Sequence, residues 1–349
     1  MPQNFQVKTH ETIALVLVLT GVTILSPGFR DAILSFLNKS FSLGLSLDAP
    51  WWIGLPVIAS GIAVYVFGES QIQPPAGIFV AIRHQSFEFL AGRLAKDSLP
   101  DRLKQYKIQH IECDHSLFLT NGNCDPIGAI RYQQSQLTND ILALIRINPE
   151  VAIGYYGIVH IPLQFCAGYA VSTWPKILLF ELDRNRNCWY ELAAKNAQKL
   201  NLSVRNISRP PNATAIVIKI AISFDISKED VDDVVPQPYE AIQIEIENRR
   251  IDAVTHYEQV SEICNAFRQV LDELHNRVNK SQIVHVFYAG SVSLGFSLGR
   301  RISKTIHHQV IVYNYTAHTK PCYAWGILIN SDGPPESRVV WKKLPVREP

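Results

Sequence analysis

The stretch that decides the fold is GIVHIPLQFCAGYAVSTWPKILLFELDRNRNCWYEL, residues 157–192. It reads as an apolar β-rich run, a helix of small residues, a second apolar strand, a polar loop and a Cys-aromatic step. The same order recurs in QIVHVFYAGSVSLGFSLGRRISKTIHHQVIVYNYTAHTKPCYAWGIL, residues 282–328. Strand, helix and strand within about 30 residues form a βαβ unit. We therefore predict an α/β fold with two fused Rossmann-like halves, each with a parallel sheet.

Two uncharged apolar stretches precede this region, over residues 12–29 and 49–67. Seven of the first 70 residues carry a charge, against 57 of the following 279. As a helix, each stretch would rise about 27–29 Å, close to the hydrocarbon thickness of a bilayer. Trp51 and Trp52 would suit the membrane interface. We predict an N-terminal α-helical transmembrane hairpin over residues 1–70. The alternatives are a cleaved signal peptide for the first stretch and a buried core helix for the second.

Composition excludes several classes of protein. A chain with 47% hydrophobic and 18% charged residues can bury an ample core. The formal net charge of +2 offers no polycation, so we predict no duplex nucleic-acid binding. The six cysteines are scattered without a C-x-x-C pair, which indicates reduced thiols rather than a disulfide scaffold. The sequence has no P-loop, dinucleotide, nucleophile-elbow or zincin motif, and we predict that the protein is not an enzyme.

Small and polar residues follow the first strand of the second repeat. In open α/β sheets, ligands bind beyond the carboxyl ends of the strands, at helix N-termini. Here that place holds Tyr288, Gly290 and Ser291. Glycine permits close backbone approach and serine is a good helix cap, so the turn suits a phosphodiester. The alternative is an ordinary strand-to-helix turn.

Further candidate ligand contacts follow the other strands. In the second repeat, four rings could stack on bases: Tyr313, Tyr315, His318 and Trp325. Core packing is the alternative for Tyr313 and Trp325. The corresponding positions of the first repeat are Gln164, Arg184, Asn185 and Trp189. Arg184 could pair with a phosphate or be a solvated loop residue. Residues 83–86, Arg-His-Gln-Ser, form another polar strand end and a candidate ligand-contacting loop.

A short run, HIECDH, contains residue types that bind metal ions. His110, Cys113 and His115 lie within six positions of one another. Side chains on a strand alternate between faces unless they are spaced by two. We therefore expect no metal here, and no cofactor elsewhere.

The motif HVFYAGSVSLGFSLGRRI, residues 285–302, followed by Tyr313-Asn314-Tyr315, resembles the C-terminal half of SAVED domains. The first repeat supports the resemblance over residues 158–189. Residues 289–291 read Ala-Gly-Ser, where the family favours Ala-Gly-Pro. SAVED domains are the cyclic-oligonucleotide sensors of bacterial CBASS anti-phage systems, each a fusion of two CARF-like units. The resemblance implies one CARF-like half over residues 71–213 and a second over residues 214–349.

With two predicted spans, the whole chain resembles the two-transmembrane SAVED effectors. The resemblance implies that a cyclic di- or trinucleotide, made by a cGAS-like nucleotidyltransferase (CD-NTase), binds across the two halves. Binding would drive formation of a homo-oligomer, whose hairpins would disrupt the lipid bilayer of the bacterial inner membrane and cause abortive infection. Because the messenger is cytosolic, both termini would be cytoplasmic. The alternatives are a membrane-tethered nucleotide-processing α/β enzyme and a passive membrane scaffold.

Overall fold

A computed structural model describes ten segments of the chain. They are residues 9–41, 53–70, 77–87, 92–120, 124–137, 141, 151–174, 176–192, 197–317 and 319–342. The chain divides into two compact units, Met1–Ala76 and Gly77–Pro349.

The described residues of the first unit form the helices α1 (Thr9–Leu25), α2 (Pro27–Phe41) and α3 (Gly54–Ser70). Glycines bring the backbones of α1 and α3 together. A Cβ atom on Gly21 would lie 2.8 Å from the carbonyl oxygen of Gly54, and a Cβ atom on Gly54 would lie 2.6 Å from that of Gly21. No larger residue fits at either position without moving the helices apart.

These helices differ from the two predicted membrane spans. The first span was expected over residues 12–29, but α1 ends at Leu25 and Pro27, which has no N–H to continue the helix, begins α2. The second was expected over residues 49–67, of which residues 49–52 lie outside the described residues. Helices α1 and α3 have 17 residues each, a rise of about 25 Å. Among the described residues, no helix combines the length and the apolar character needed to cross a membrane. The predicted hairpin is therefore not supported.

The strands described in the second unit form two sheets. The first sheet contains β1 (Ile78–Gln85), β2 (Lys107–Asp114), β3 (Ala152–Ile158), β4 (Ile177–Asp183) and β5 (Cys188–Glu191), in the order β2-β1-β3-β4-β5. The second contains β6 (Leu202–Ser208), β7 (Ala215–Ala221), β8 (Tyr239–Ile246), β9 (Val284–Ala289), β10 (Val310–Asn314), β11 (Trp325–Ile329) and β12 (Val339–Trp341), in the order β12-β11-β10-β9-β7-β8-β6.

In the described part of the second unit, seven helices accompany these strands. They are α4 (Ser116–Leu119), α5 (Pro126–Ser135), α6 (Ile161–Ala170), α7 (Lys228–Asp232), α8 (Tyr257–Arg277), α9 (Val292–Gly299) and α10 (Pro335–Arg338), and two short 3₁₀ turns lie at Lys96–Ser98 and Asp101–Leu103. Helix α8 buries one apolar face and is the last helix before the second repeat.

The internal repeat is confirmed by strand pairing. In the first copy, β3 and β4 flank α6 and are parallel, and β5 returns antiparallel to β4. In the second copy, β9 and β10 flank α9 and are parallel, and β11 returns antiparallel to β10. The prediction of purely parallel sheets is corrected, because these returning strands make both sheets mixed. Strand β6 lies within the predicted first half, residues 71–213, but pairs with β8 in the second sheet. The boundary between the halves at residue 213 stays a prediction.

The two copies meet where α6 packs on α9, and the contact is reciprocal. A Cβ atom on Gly168 of α6 would lie 1.9 Å from the carbonyl oxygen of Phe296. A Cβ atom on Gly299 of α9 would lie 2.2 Å from the carbonyl oxygen of Phe165. The same Phe-x-x-Gly unit, residues 165–168 and 296–299, therefore supplies both sides of the contact.

Aromatic rings extend this contact into the two sheets. Tyr155 of β3 stacks on Phe296 of α9 with ring centroids 3.8 Å apart, and Phe165 of α6 meets Tyr288 of β9 edge-on at 5.4 Å. All four side chains are fully buried. Each sheet is thus tied to the helix of the other copy.

We expect Gly168→Ala to destabilise the full-length protein by about 1–3 kcal/mol, because the added methyl group overlaps a carbonyl oxygen that belongs to a packed helix. The urea midpoint of unfolding, followed by far-UV circular dichroism, measures the change. Gly92→Ala is the matched control, since a Cβ atom there meets no atom within 4 Å. Equal midpoints for the two variants would contradict the reciprocal helix contact.

Candidate functional site

A cavity of about 1050 Å³ opens at the carboxyl ends of strands from both sheets. Its wall includes residues 157–159 at the end of β3, 181–185 at the end of β4, and 288–292 from the end of β9 to the start of α9. Residues 223–225 after β7, and 251, 252, 254 and 255 before α8, also line it. Ligands of open α/β sheets bind at this edge. The cavity is therefore the candidate functional site.

Most of the sequence-predicted site residues line this cavity. They are Gln164, Arg184, Asn185, Tyr288, Gly290, Ser291 and Tyr315. The first three come from one copy of the repeat and the others from the second copy. The structure therefore brings the two predicted strand-end groups together, as expected for a site across both halves. That these residues contact a ligand stays a prediction.

Three predicted site residues lie in the core instead. The first, Trp325 of β11, is 4% exposed and does not line the cavity. Trp189 is 4% exposed, packs edge-on against Tyr156 and donates from Nε1 to the carbonyl oxygen of Gly92 at 2.8 Å. Tyr313 is fully buried, stacks on Phe287 and places its hydroxyl 2.8 Å from His285 Nδ1. Both side chains belong to strands whose neighbours cover them, so neither lines the cavity. His318 lies outside the described residues.

Tyr315 differs from Tyr313 although the two are spaced by two. Strand β10 ends at Asn314, so the Tyr315 side chain extends past the sheet and is 46% exposed. Its ring lies 5.3 Å from that of Tyr323, which also lines the cavity. The two rings are tilted by 57°, and the exposed ring of Tyr315 offers an aromatic face at this wall.

Gln164 lines the cavity and has one unpaired buried acceptor. Its side chain is 3% exposed and its Nε2 donates to the carbonyl oxygen of Val159 at 2.7 Å. The amide oxygen, Oε1, has no hydrogen-bond partner among the described residues. Gly295 of α9 leaves the space for it, because a Cβ atom there would lie 2.2 Å from this oxygen. A buried acceptor without a partner is costly, and this one lies against α9.

Glu181 is a site residue that the sequence analysis missed. It lies near the end of β4, and its Oε1 accepts hydrogen bonds from the backbone N–H of Ser293, at 3.0 Å, and from the Ser293 hydroxyl. The carboxyl group therefore occupies the N-terminus of α9, where a phosphate was expected to bind. Burial raises the pKa of Glu181, and hydrogen bonds from Ser293 and Ser291 offset part of that effect.

Other missed residues give the cavity its chemical character. Phe224, which follows β7, is 59% exposed and presents a second aromatic face. Further acidic groups line the wall: Asp183, Asp225 and Asp252. Residues 223–225 come shortly after the buried strand β7. Position after a strand was the criterion for the other candidate residues, and the same criterion would have identified these. The carboxylates suit amino and hydroxyl donors, whereas Arg184 suits an anion.

The fold and cavity define an α/β protein of two fused halves with a ligand-sized cleft between their strand ends. The family model described as "SMODS-associated and fused to various effectors sensor domain", SAVED, matches residues 134–329. The chain belongs to the SAVED family of sensor domains. A comparison with curated protein sequences finds no match.

Solved structures similar to this chain include two bacterial receptors. The Acinetobacter baumannii Cap4 SAVED/CARF-domain containing receptor with the cyclic trinucleotide 2'3'3'-cAAA is 15% identical, with a TM-score of 0.42 over 75% of this chain and 54% of the receptor. The Moraxella osloensis Cap4 SAVED/CARF-domain containing receptor is 14% identical, with a TM-score of 0.41 over 75% of this chain and 52% of the receptor. This chain thus spans about half of the length of either receptor.

We expect Glu181→Gln to be more stable than the wild-type protein at neutral pH, by on the order of 1 kcal/mol, because the amide keeps an acceptor for Ser293 without a buried charge. A carboxyl whose pKa is raised by folding contributes most below its unfolded pKa and loses that contribution as the pH rises through its folded pKa. The advantage of the variant should therefore shrink as the pH falls towards 4.

Urea unfolding across this pH range measures the difference. Glu191→Gln is the control, because Glu191 lies on β5 and pairs with Arg102 at 2.7 Å outside the cavity. A Glu181→Gln stability difference that does not vary with pH would contradict the raised pKa.

Proposed function

We propose that the second unit is the sensor of a CBASS anti-phage system and binds a cyclic oligonucleotide second messenger in the cavity between its halves. The observation that carries the proposal is the cavity itself, which is built from strand carboxyl ends of both repeats in a chain of the SAVED family. Its 1050 Å³ lies at the upper end of small-molecule sites. That size favours a cyclic di- or trinucleotide over a mononucleotide.

The lining chemistry supports a nucleotide ligand. Phe224 after β7 and Tyr315 after β10 offer exposed aromatic rings to the cavity. Any of the bases can stack on such a ring. The carboxylates of Asp183, Asp225 and Asp252 would accept hydrogen bonds from base amino groups and ribose hydroxyls. We assign phosphate contacts to Arg184 and to the backbone turn at Gly290.

A phosphate that binds at the N-terminus of α9 would lie next to the carboxyl group of Glu181. The carboxyl group accepts from Ser293 there, so a phosphate that approaches the turn meets either a neutral acid or a like charge. Burial raises the pKa of Glu181, so the neutral acid, which can donate a hydrogen bond to a phosphate oxygen, forms at a higher pH than for an exposed carboxyl group. We propose that the sensor binds its ligand without turnover.

For the output, we propose that ligand binding drives self-association and that the N-terminal unit acts on the bacterial inner membrane. Helices α1 and α3 carry exposed apolar side chains, among them Leu15 at 60% and Leu55 at 56% exposure. Exposed apolar surface of this kind is typical of membrane or protein contacts. The proposal places the sensor and both termini on the cytoplasmic side, where the messenger is made, and makes membrane damage the cause of abortive infection.

Isothermal titration of the full-length protein in mild detergent, with a panel of cyclic di- and trinucleotides, tests the sensor proposal. We expect at least one member to bind, and Tyr315→Ala to weaken that binding by about 5- to 150-fold through loss of one stacked base. Trp341→Ala is the control, since Trp341 is an exposed aromatic on the edge strand β12 outside the cavity. Absence of binding by every member, or hydrolysis of the bound member, would overturn the proposal.

Mass photometry of the same protein tests the assembly step. We expect a small species without messenger and larger species at saturating messenger, because binding must favour the assembled state over the resting one. Dye leakage from vesicles of bacterial lipids should rise with the larger species. If leakage occurs at saturating messenger with no change in size, a conformational change within a preformed oligomer replaces ligand-driven assembly.

A further inference from the structure

Three buried side chains that bind metals in other proteins converge at one end of the first sheet. His84 lies near the end of β1, and Cys113 is its register partner on β2. His115 follows directly after β2, two residues beyond Cys113. All three side chains are fully buried. The sequence analysis weighed Cys113 and His115 as metal ligands together with His110 and expected no metal, and it placed His84 in a candidate ligand-contacting loop. Only the pairing of β1 with β2 brings His84 to the other two.

The three ligand atoms have the spacing that a small cation requires. His84 Nε2 lies 3.0 Å from His115 Nε2, and Cys113 Sγ lies 3.3 Å from the same His115 nitrogen. All three atoms lie within 4.8 Å of one another. Zinc–nitrogen bonds of about 2.0–2.1 Å and a zinc–sulfur bond of about 2.3 Å, in a tetrahedron, put donor atoms about 3.3–3.6 Å apart. The two separations from His115 need shifts of a few tenths of an ångström to centre an ion, and the separation between His84 and Cys113, at no more than 4.8 Å, needs about 1 Å or less.

Hydrogen bonding alone does not account for the cluster. His115 Nε2 has two close neighbours, His84 Nε2 and Cys113 Sγ, but a neutral ring nitrogen either donates one proton or accepts at one lone pair. The other ring nitrogen, His115 Nδ1, has no hydrogen-bond partner among the described residues. A cation at the centre would use the lone pairs of all three atoms at once.

A neighbouring side chain is placed to orient one ligand. Tyr155 of β3 has its hydroxyl 2.7 Å from His84 Nδ1. Metal-bound histidines usually donate their second N–H to such a partner, which fixes the ring and its tautomer. With Nδ1–H donating to Tyr155, the lone pair of His84 Nε2 is free to point at an ion.

From this geometry we propose that His84, Cys113 and His115 bind one zinc ion, with the fourth position open to water or another small donor. Two imidazoles and one thiolate suit a borderline-soft divalent ion rather than Mg²⁺ or Ca²⁺. On binding, the Cys113 thiol loses its proton to solvent and a zinc–sulfur bond forms. The ion would link the ends of β1 and β2. Gly157 of β3, which lines the cavity, packs against the end of β1, since a Cβ atom on Gly157 would lie 1.8 Å from the His84 carbonyl oxygen.

X-ray absorption at the zinc edge, on the full-length protein loaded with one equivalent of Zn²⁺, tests the site without any substitution. We expect one sulfur scatterer at about 2.3 Å and two or three nitrogen or oxygen scatterers at about 2.0 Å. The melting temperature should rise by about 5–10 °C when free zinc exceeds its dissociation constant a hundredfold. A spectrum without a sulfur scatterer would overturn the proposal, because it would place the ion elsewhere.

Cobalt substitution identifies the thiolate. The Co²⁺-loaded protein should show a thiolate-to-cobalt charge-transfer band in the near ultraviolet, and Cys113→Ala should lose it together with stoichiometric binding. Cys264→Ala is the matched control, because Cys264 is an equally buried cysteine on α8 outside the cluster. Retention of the band in Cys113→Ala, or failure of the wild-type protein to bind one equivalent of either metal, would overturn the proposal.

Discussion

The second unit depends on the close contact between α6 and α9. Each helix places a glycine against the other's backbone carbonyl, at distances that leave no room for a side chain. The stacked pair Tyr155 and Phe296 then carries the contact from the helices into the first sheet. Because both sheets are anchored to the same pair of helices, their strand ends face one shared space. The cavity is a result of that arrangement rather than of any one loop.

Part of this architecture could be predicted from the sequence, because repeated order is visible without coordinates. The strand, helix and returning strand of each copy are where the pattern placed them, and so are the strand-end groups that line the cavity. The Phe-x-x-Gly unit was also visible in both copies, but nothing in the pattern says that the two units touch. The pattern was wrong about purely parallel sheets, since periodicity does not reveal the direction of a neighbouring strand.

The remaining errors concern contacts between distant segments. Tyr313 and Tyr315 have the same alternation, and only the end of β10 separates a core ring from an exposed one. Glu181 was missed because a single carboxylate in an apolar strand matches no motif, and because its hydrogen-bond partner, Ser293, lies 112 residues away in the sequence. The N-terminal stretches were apolar enough to suggest membrane spans. However, α1 ends before Pro27, and α3 begins only at Gly54.

The reciprocal helix contact also relates the two repeats to each other, and the correspondence fails at one instructive place. Counted from the first residue of each strand, Glu181 of β4 corresponds to Asn314 of β10. Glu181 lines the cavity and bonds to the opposite helix at Ser293, whereas Asn314 does not line the cavity and bonds to Thr316 on its own segment. A ring with two identical halves would therefore meet this carboxyl group on one side and no equivalent of it on the other, so the cleft imposes a direction on whatever it holds.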